Sequence, residues 1–142
     1  MPRSHFQYLN TIPTDTVFFL LGLFPKSAQI WVNVRYPFRK HRDEIKKIDI
    51  RNQNLLGSLD LEEFTSLEKI LCSHNKISSL NLANSITVIS CGNNKFFQQD
   101  LSIFSHLVNL KELWLENNNF VDSLQPLHGL SNLELLNIVI PM

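Results

Sequence analysis

The sequence predicts an α/β solenoid, in which short parallel strands stack side by side and short helical or extended segments return the chain to the next strand. One apolar pattern recurs along the chain at spacings of 19 to 24 residues. Inside each copy the apolar residues alternate, as they do on a strand with one buried face. A polar residue, asparagine in three copies, follows each complete strand and turns the chain.

Each complete copy has apolar residues at its first, fourth, sixth and eleventh positions and asparagine at its ninth. The flanking copies lack the asparagine, because Gln53 occupies its position in the first and Pro141 in the last. The spacing is close to the 20–29-residue period of leucine-rich repeats. One copy cannot bury its own apolar face, so several must stack. The five copies begin at Ile45, Leu67, Ile86, Leu110 and Leu133.

The segments between the strands differ from copy to copy. Residues 97–107 have apolar side chains at helical spacing and predict a short helix. The stretches 59–61 and 80–82 alternate and predict extended chain. Pro126 and Gly129 interrupt the final return.

The sequence predicts three regions. Residues 1–25 form an N-terminal extension of unknown structure. Residues 26–44 form a cap, in which Ser27 begins a short helix, Trp31 covers the first repeat and Pro37 prevents further helix. Residues 45–142 hold about four and a half repeats, the last of them incomplete. Its apolar residues indicate either a truncated gene product or an edge that meets another subunit.

Several stretches carry a family resemblance. They are 28–31 with 36–37, then 50–61, 71–75 and 109–115. On these residues the chain resembles cysteine-containing leucine-rich-repeat proteins that are expanded in some fungi, over about residues 28 to 140. The resemblance implies a right-handed solenoid with a parallel concave sheet. It also implies a protein-interaction role, sometimes beside a kinase or signalling domain, and no catalytic residues.

Composition limits the partners. The chain has 13 basic and 13 acidic residues, so no overall field favours nucleic acid or an anionic membrane. The apolar run 17–24 is shorter than the roughly 17–25 residues of a membrane span. It predicts a buried segment of the cap, with a cleaved secretion signal within residues 1–27 or a disordered start as alternatives. Sparse cysteine and the absence of an N-x-[ST] site favour an intracellular, cytoplasmic location.

The candidate site is the concave face, to which the strand residues between the buried ones point. Trp114 and Leu71 matter most, since an apolar side chain at an outward position has no role in the core and tryptophan often anchors interfaces. The alternative is that Trp114 folds against its strand neighbours or under the N-terminal extension. The central column is Asp49, Leu71, Ser90, Trp114 and Asn137; one flank is Lys47, Lys69, Val88, Glu112 and Leu135, and the other is Arg51, Ser73, Gly92, Glu116 and Val139.

Charge varies along this face. Lys46, Lys47 and Arg51 lie at its start, and Glu112, Glu116 and Glu134 lie at its end. The gradient either orients a partner of bipolar charge or serves solubility alone.

Three other groups of residues bear on function. The basic cluster of Arg35, Arg39, Lys40, His41 and Arg42 indicates a solvated linker, or a nuclear-import or phosphate-binding patch. Cys72 and Cys91 occupy the same buried position of successive repeats and predict stacked structural thiols. No cofactor, metal site or catalytic set can be assembled from the remaining residues.

The sequence therefore favours a non-catalytic module that binds a protein partner on its concave face. The alternative is a truncated structural fragment of a larger repeat array or signalling protein, with no binding role of its own.

Overall fold

The computed structural model describes residues 26–97, 100–121 and 123–139. Its strands are β1 Lys47–Asp49, β2 Leu56–Leu61, β3 Lys69–Leu71, β4 Lys76–Leu82, β5 Val88–Ser90, β6 Glu112–Trp114 and β7 Leu135–Asn137. They form two parallel sheets, one of five strands in the order β1-β3-β5-β6-β7 and one of β2 and β4.

Each strand of the larger sheet pairs with the equivalent strand of the next repeat, without a slip of register. Ile48 pairs with Ile70, Ile70 with Ile89, and Ile89 with Leu113, and all four side chains are fully buried. Because side chains alternate along a strand, this buried column leaves the residues on either side pointing outward. The stacked, in-register repeats confirm the predicted α/β leucine-rich-repeat solenoid.

The core fills the space between this sheet and the return segments. Phenylalanines supply much of its volume: Phe96 and Phe120 stack with ring centroids 5.4 Å apart, and Phe104 lies 5.9 Å from Phe120. All three are at most 1% exposed. Successive repeats therefore share one continuous apolar interior.

Cys72 and Cys91 lie in this core at equivalent positions, as predicted, with Cα atoms 4.9 Å apart. The prediction that they are thiols is wrong, because the structure joins them in a disulfide between neighbouring repeats. The physical reason is the strand spacing of about 4.8 Å, which falls within the Cα separation that a disulfide spans.

The return segments agree with the sequence in part. The extended stretches at 59–61 and 80–82 lie in β2 and β4, which pair in parallel. Of the helix predicted over 97–107, residues 98 and 99 lie outside the described residues, and the described part contains one 3₁₀ turn, Leu101–Phe104. Asp100 caps it by accepting the Ser102 N–H. A second 3₁₀ turn, Gln125–Leu127, lies in the final return.

The predicted cap helix, α1, spans Ala28–Arg35. Ser27 begins it by accepting the Ile30 N–H, and Ala28 and Val32 are fully buried. Trp31 is partly buried and packs against the core, as expected. The cap also joins the smaller sheet, since Leu56 N–H donates to the Lys26 carbonyl over 2.9 Å. The cap therefore covers the first repeat and extends the hydrogen bonding of β2.

The basic cluster is not a solvated linker throughout. A 3₁₀ helix spans Arg39–Glu44, and within it Arg42 is only 6% exposed. Its guanidinium donates to the Tyr36 carbonyl, to Asn33 Oδ1 and to Glu63 Oε2, the last over 2.9 Å. It also lies 5.2 Å from the Phe64 ring centroid. Arg42 thus fastens the cap to the first repeat, while Arg39 and its neighbours are exposed.

The two ends of the chain lie partly outside the described residues. The extension 1–25, with its apolar run, lies outside the described residues, as do Ile140, Pro141 and Met142. In the last repeat Leu133, Leu136 and Ile138 are partly buried against the core. Within the part of the chain that the structure describes, no helix is long and apolar enough to cross a membrane.

Candidate protein-binding face

The predicted site residues form columns on one side of the five-stranded sheet, here called the outward face. Pairing places Asp49, Leu71, Ser90, Trp114 and Asn137 in one column, and Lys47, Lys69, Val88, Glu112 and Leu135 in another. Backbone hydrogen bonds between neighbouring repeats continue beyond the strands, since Asn52 N–H donates to the Ser73 carbonyl and Asn93 N–H donates to the Glu116 carbonyl. The third column, from Arg51 to Glu116, therefore lies beside the first two.

Trp114 lies in the central column between Ser90 and Asn137. It is partly buried, and its indole Nε1 donates to Glu112 Oε2 over 3.2 Å. The contact with Glu112, two residues away on the same face, fixes the orientation of the ring. The alternative that Trp114 packs against its own strand is thus partly correct, although part of the ring remains accessible. Leu71 is also partly buried.

The start of the face is cationic, with one internal ion pair. Arg51 donates from Nε and NH2 to the two carboxylate oxygens of Asp49, over 2.9 and 2.7 Å. This hydrogen bonding lowers the pKa of Asp49 below its usual value and raises the pKa of Arg51. No carboxylate among the described residues lies within ion-pair distance of Lys47 or Lys69, which are both exposed. Two unpaired ammonium groups therefore remain there.

The far end of the face is anionic. The Glu116 carboxylate lies against Gly92 of the preceding repeat, where a side-chain carbon would collide with it. Gly92 is consequently buried although it is on the outward face. Glu116 Oε2 is itself shielded from solvent and has no hydrogen-bond partner among the described residues. A shielded carboxylate oxygen without a donor is a candidate acceptor for a cation of a partner.

Glu134, which was predicted to belong to the gradient, lies just before β7 and is exposed outside the columns. Its backbone N–H donates to the Lys111 carbonyl. The gradient on the face itself therefore runs from Lys47 and Lys69 to Glu112 and Glu116.

The asparagine positions fix the turns beside this face. Asn94 Nδ2 donates to the carbonyls of Cys91, in its own repeat, and Cys72, in the preceding one. Its Oδ1 accepts the Ile77 N–H of the preceding repeat over 3.0 Å. Asn75 and Asn118 are arranged in the same way. The side-chain bonds of Asn75, Asn94 and Asn118 form what we call the asparagine ladder. In this ladder each asparagine connects its repeat to the one before it.

This direction explains the exception in the first repeat. Gln53 is exposed, and its side chain donates only to the nearby Arg51 carbonyl. In the described part of the chain no repeat precedes it that needs its amide, so the position tolerates a residue other than asparagine.

Sequence reasoning missed a second set of hydrogen bonds between repeats, which lie shortly before β5, β6 and β7. Asn109 Nδ2 donates to the Asn84 carbonyl over 3.0 Å, and Asn132 Nδ2 to the Val108 carbonyl over 2.9 Å. Ser85 Oγ donates to the Leu67 carbonyl in the same manner. Each of these residues comes directly before the first apolar position of its repeat. This recurrence of a polar residue is the sequence pattern from which the bonds could have been predicted.

Within the described ranges no three His, Cys, Asp or Glu side chains are placed to hold a metal ion. His106 Nε2 lies 3.1 Å from the Leu82 carbonyl, whereas His74 lies at a turn near the opposite end of the strands.

No protein-family profile and no curated protein matches the chain. Among solved structures, the chain is similar to internalin C2 of Listeria monocytogenes, with a TM-score of 0.46 and 18% sequence identity. The similarity covers 72% of this chain and 55% of that one. The assignment of a leucine-rich-repeat solenoid therefore rests on the repeats and sheets described above.

Proposed function

We propose that the chain is a non-catalytic protein-interaction module that binds its partner on the outward face. The observation that supports this most is the Trp114 ring, which is partly exposed in the centre of an ordered, in-register surface. Glu112 holds the indole in one orientation, so less side-chain entropy is lost when a partner covers it. Tryptophan in such a setting is a frequent anchor of protein interfaces.

The charges on the face suggest how a partner is oriented. Lys47 and Lys69 attract acidic groups at one end, and Glu116 offers a shielded carboxylate oxygen at the other. A partner with acidic and basic groups at opposite ends of its contact surface complements this gradient in one direction only. We expect ionic strength to weaken such binding mainly through a slower association rate.

The size of the face limits the affinity. Its three columns over five repeats provide about fifteen side chains, against roughly 20–30 residues a side in a standard interface. The proposed contact is therefore modest and transient unless the turns contribute as well.

The test compares Trp114→Ala with Phe97→Ala. Phe97 is a matched control, because it is an aromatic residue that is 70% exposed and lies in a return segment outside the columns. Affinity capture from the source cell with the unaltered chain and both variants identifies partners, and titration with each purified partner gives the affinity. We expect Trp114→Ala to weaken binding about tenfold or more, equivalent to roughly 1.4 kcal/mol.

Retention of every specific partner by Trp114→Ala, with affinity equal to that of Phe97→Ala, would contradict the proposal. Urea denaturation of both variants establishes that they remain folded. A loss of binding in both variants likewise argues against the outward face, since Phe97 lies elsewhere.

Edge association through the last repeat is a second proposal. In the described part of the chain the outer edge of β7 has no strand beside it, and Val139 is 68% exposed next to the partly buried Ile138. An unpaired strand edge can add a strand from another chain. Sedimentation should then show self-association that increases with concentration, and a strict monomer at all concentrations would rule the proposal out.

A cytoplasmic location is also a proposal. The Cys72–Cys91 disulfide is the observation that argues against it, because disulfides persist mainly in oxidising compartments. Fractionation of the source cell, with a count of free thiols on the recovered chain, decides between the cytoplasm and an oxidising compartment.

A further inference from the structure

A cavity of about 590 Å³ lies where the strands of the larger sheet end and the chain turns. This volume is within the range of small-molecule sites, about 300–1,000 Å³. The turns of four successive repeats line it. Every non-glycine residue with positive φ in the described chain is among the lining residues, namely Asn52, Asn54, His74, Asn93 and Asn117.

The cavity lining is cationic. Lys76 and Lys95 occupy equivalent positions, each directly after a ladder asparagine, so their backbones are about one strand spacing, 4.8 Å, apart. Both are exposed, and among the described residues no carboxylate lies within ion-pair distance of either ammonium group. Among the described residues, no acidic side chain lines the cavity. Glu116, although adjacent to Asn117, directs its carboxylate to Gly92 on the outward face.

Part of the backbone of these turns is already hydrogen-bonded within the chain. The N–H groups of Asn52, His74 and Asn93 donate to carbonyls of the following repeat over 3.1, 3.1 and 2.8 Å. The amides of Asn75 and Asn94 are likewise used by the ladder. These N–H groups and amides are therefore not available to a ligand in the cavity.

The remaining amides suit hydroxyl groups. Asn117 Nδ2 donates to Asn93 Oδ1 over 2.9 Å, which orients both side chains. The Asn93 amide N–H groups and the Asn117 carbonyl remain available as donors and acceptor. Within the described ranges, the only aromatic ring that lines the cavity is the imidazole of His74, so the proposed site does not depend on stacking with a neutral sugar.

We propose that this cavity binds a small phosphate monoester that carries hydroxyl or amine groups. Lys76 and Lys95 would share the phosphate, which is close to a dianion at neutral pH. Asn93 and Asn117 would contact the polar remainder of the ligand. Since both lysines are exposed, binding should be weak and should decrease as salt is added. The proposal is independent of the outward face, because no residue of its three columns lines the cavity.

The test is calorimetric titration at low ionic strength with glucose 6-phosphate, O-phosphoserine, inorganic phosphate and glucose. We expect at least one ester to bind with a Kd of about 1 mM or below, inorganic phosphate more weakly, and glucose not at all. The ester that binds more tightly identifies the source of the phosphate group, a sugar or an amino acid. The double variant Lys76→Gln with Lys95→Gln should weaken ester binding about tenfold or more.

Lys111→Gln is the matched control, because Lys111 is also exposed, has no ion pair among the described residues and does not line the cavity. Its affinity for the ester should equal that of the unaltered chain. Equal weakening in this control overturns the proposal, as does the absence of ester binding. Inorganic phosphate that binds as tightly as both esters overturns it too, because the amides would then contribute nothing.

Discussion

Substitution of the ladder asparagines by alanine should destabilise the chain in a fixed order, with Asn75→Ala the most harmful. Asn75 Oδ1 accepts the N–H groups of Leu55 and Gln53 over 2.9 and 3.2 Å, and its Nδ2 donates to the Ile50 carbonyl over 2.8 Å. Leu55 and Ile50 are fully buried, so water cannot replace these bonds. A buried donor left without its acceptor costs about 1–3 kcal/mol, and an orphaned carbonyl somewhat less. We therefore expect a loss of about 3 kcal/mol.

Asn94→Ala should cost less, about 2 kcal/mol, because only the Ile77 N–H loses its acceptor. The carbonyls of Cys72 and Cys91 keep the bonds that Asn75 and Asn118 donate.

Asn118→Ala should cost about 1 kcal/mol, since its acceptor bond to Phe96 N–H is long, 3.4 Å, and the residue is only partly buried. Gln53→Ala is the matched control. Its side chain is exposed and makes no bond to another repeat, so we expect a change within about 0.5 kcal/mol.

Urea denaturation measures these differences, provided that the m-values remain equal. A Gln53→Ala loss as large as that of Asn75→Ala would refute the reasoning, because the exposed position would then matter as much as the ladder. An equal loss for the three asparagines would show that the orphaned N–H groups do not determine the cost.

Three further predictions concern the cap, the disulfide and pH. Arg42→Ala should lower the free energy of unfolding by about 2–3 kcal/mol. Arg39 pairs with the same glutamate, but its side chain is 81% exposed, so Arg39→Ala should cost at most about 1 kcal/mol. Equal losses of the two variants in urea denaturation would contradict this. Reduction of the Cys72–Cys91 bond, which closes a sequence separation of 19 residues, should destabilise the chain by about 3 kcal/mol. Two thiols that react in the unfolded chain without reductant would contradict the disulfide itself. The pKa of Asp49, followed by NMR, should lie below 3.8 because a guanidinium donates to its carboxylate. Its stabilising contribution should therefore be present above the unfolded-state pKa and be lost as the pH falls through the lowered one, and a pKa at or above 3.8 would refute this.

The repeat and the outward columns could be predicted because side chains alternate along a strand with a period of two, which leaves little freedom in the direction that each one points. Once Ile48, Ile70, Ile89 and Leu113 are known to be buried at equivalent positions, their neighbours must point outward in register. The ladder followed for a similar reason, since an asparagine directly after a buried strand has backbone groups to satisfy.

Other features depend on contacts that no local pattern encodes. A basic run does not indicate which of its members turns inward, and the carboxylate that accepts from Arg42 is 21 residues away, in Glu63. Stacked cysteines have the same spacing as thiols or as a disulfide, so the repeat pattern could not reveal that the prediction of thiols was wrong. The cavity forms only when the turns of four repeats are stacked, and Lys76 and Lys95 are therefore ordinary surface residues in the sequence alone.

Both sets of connections between repeats have the same direction, which gives the stack a polarity of folding. The turn of each repeat obtains its hydrogen bonds from the asparagine of the next repeat, as Leu55 does from Asn75 and Ile77 from Asn94. A repeat therefore completes its own turn only after its successor has folded. Amide hydrogen exchange at these two N–H groups would report the opening of the neighbouring repeat, and loss of structure should spread from later repeats to earlier ones.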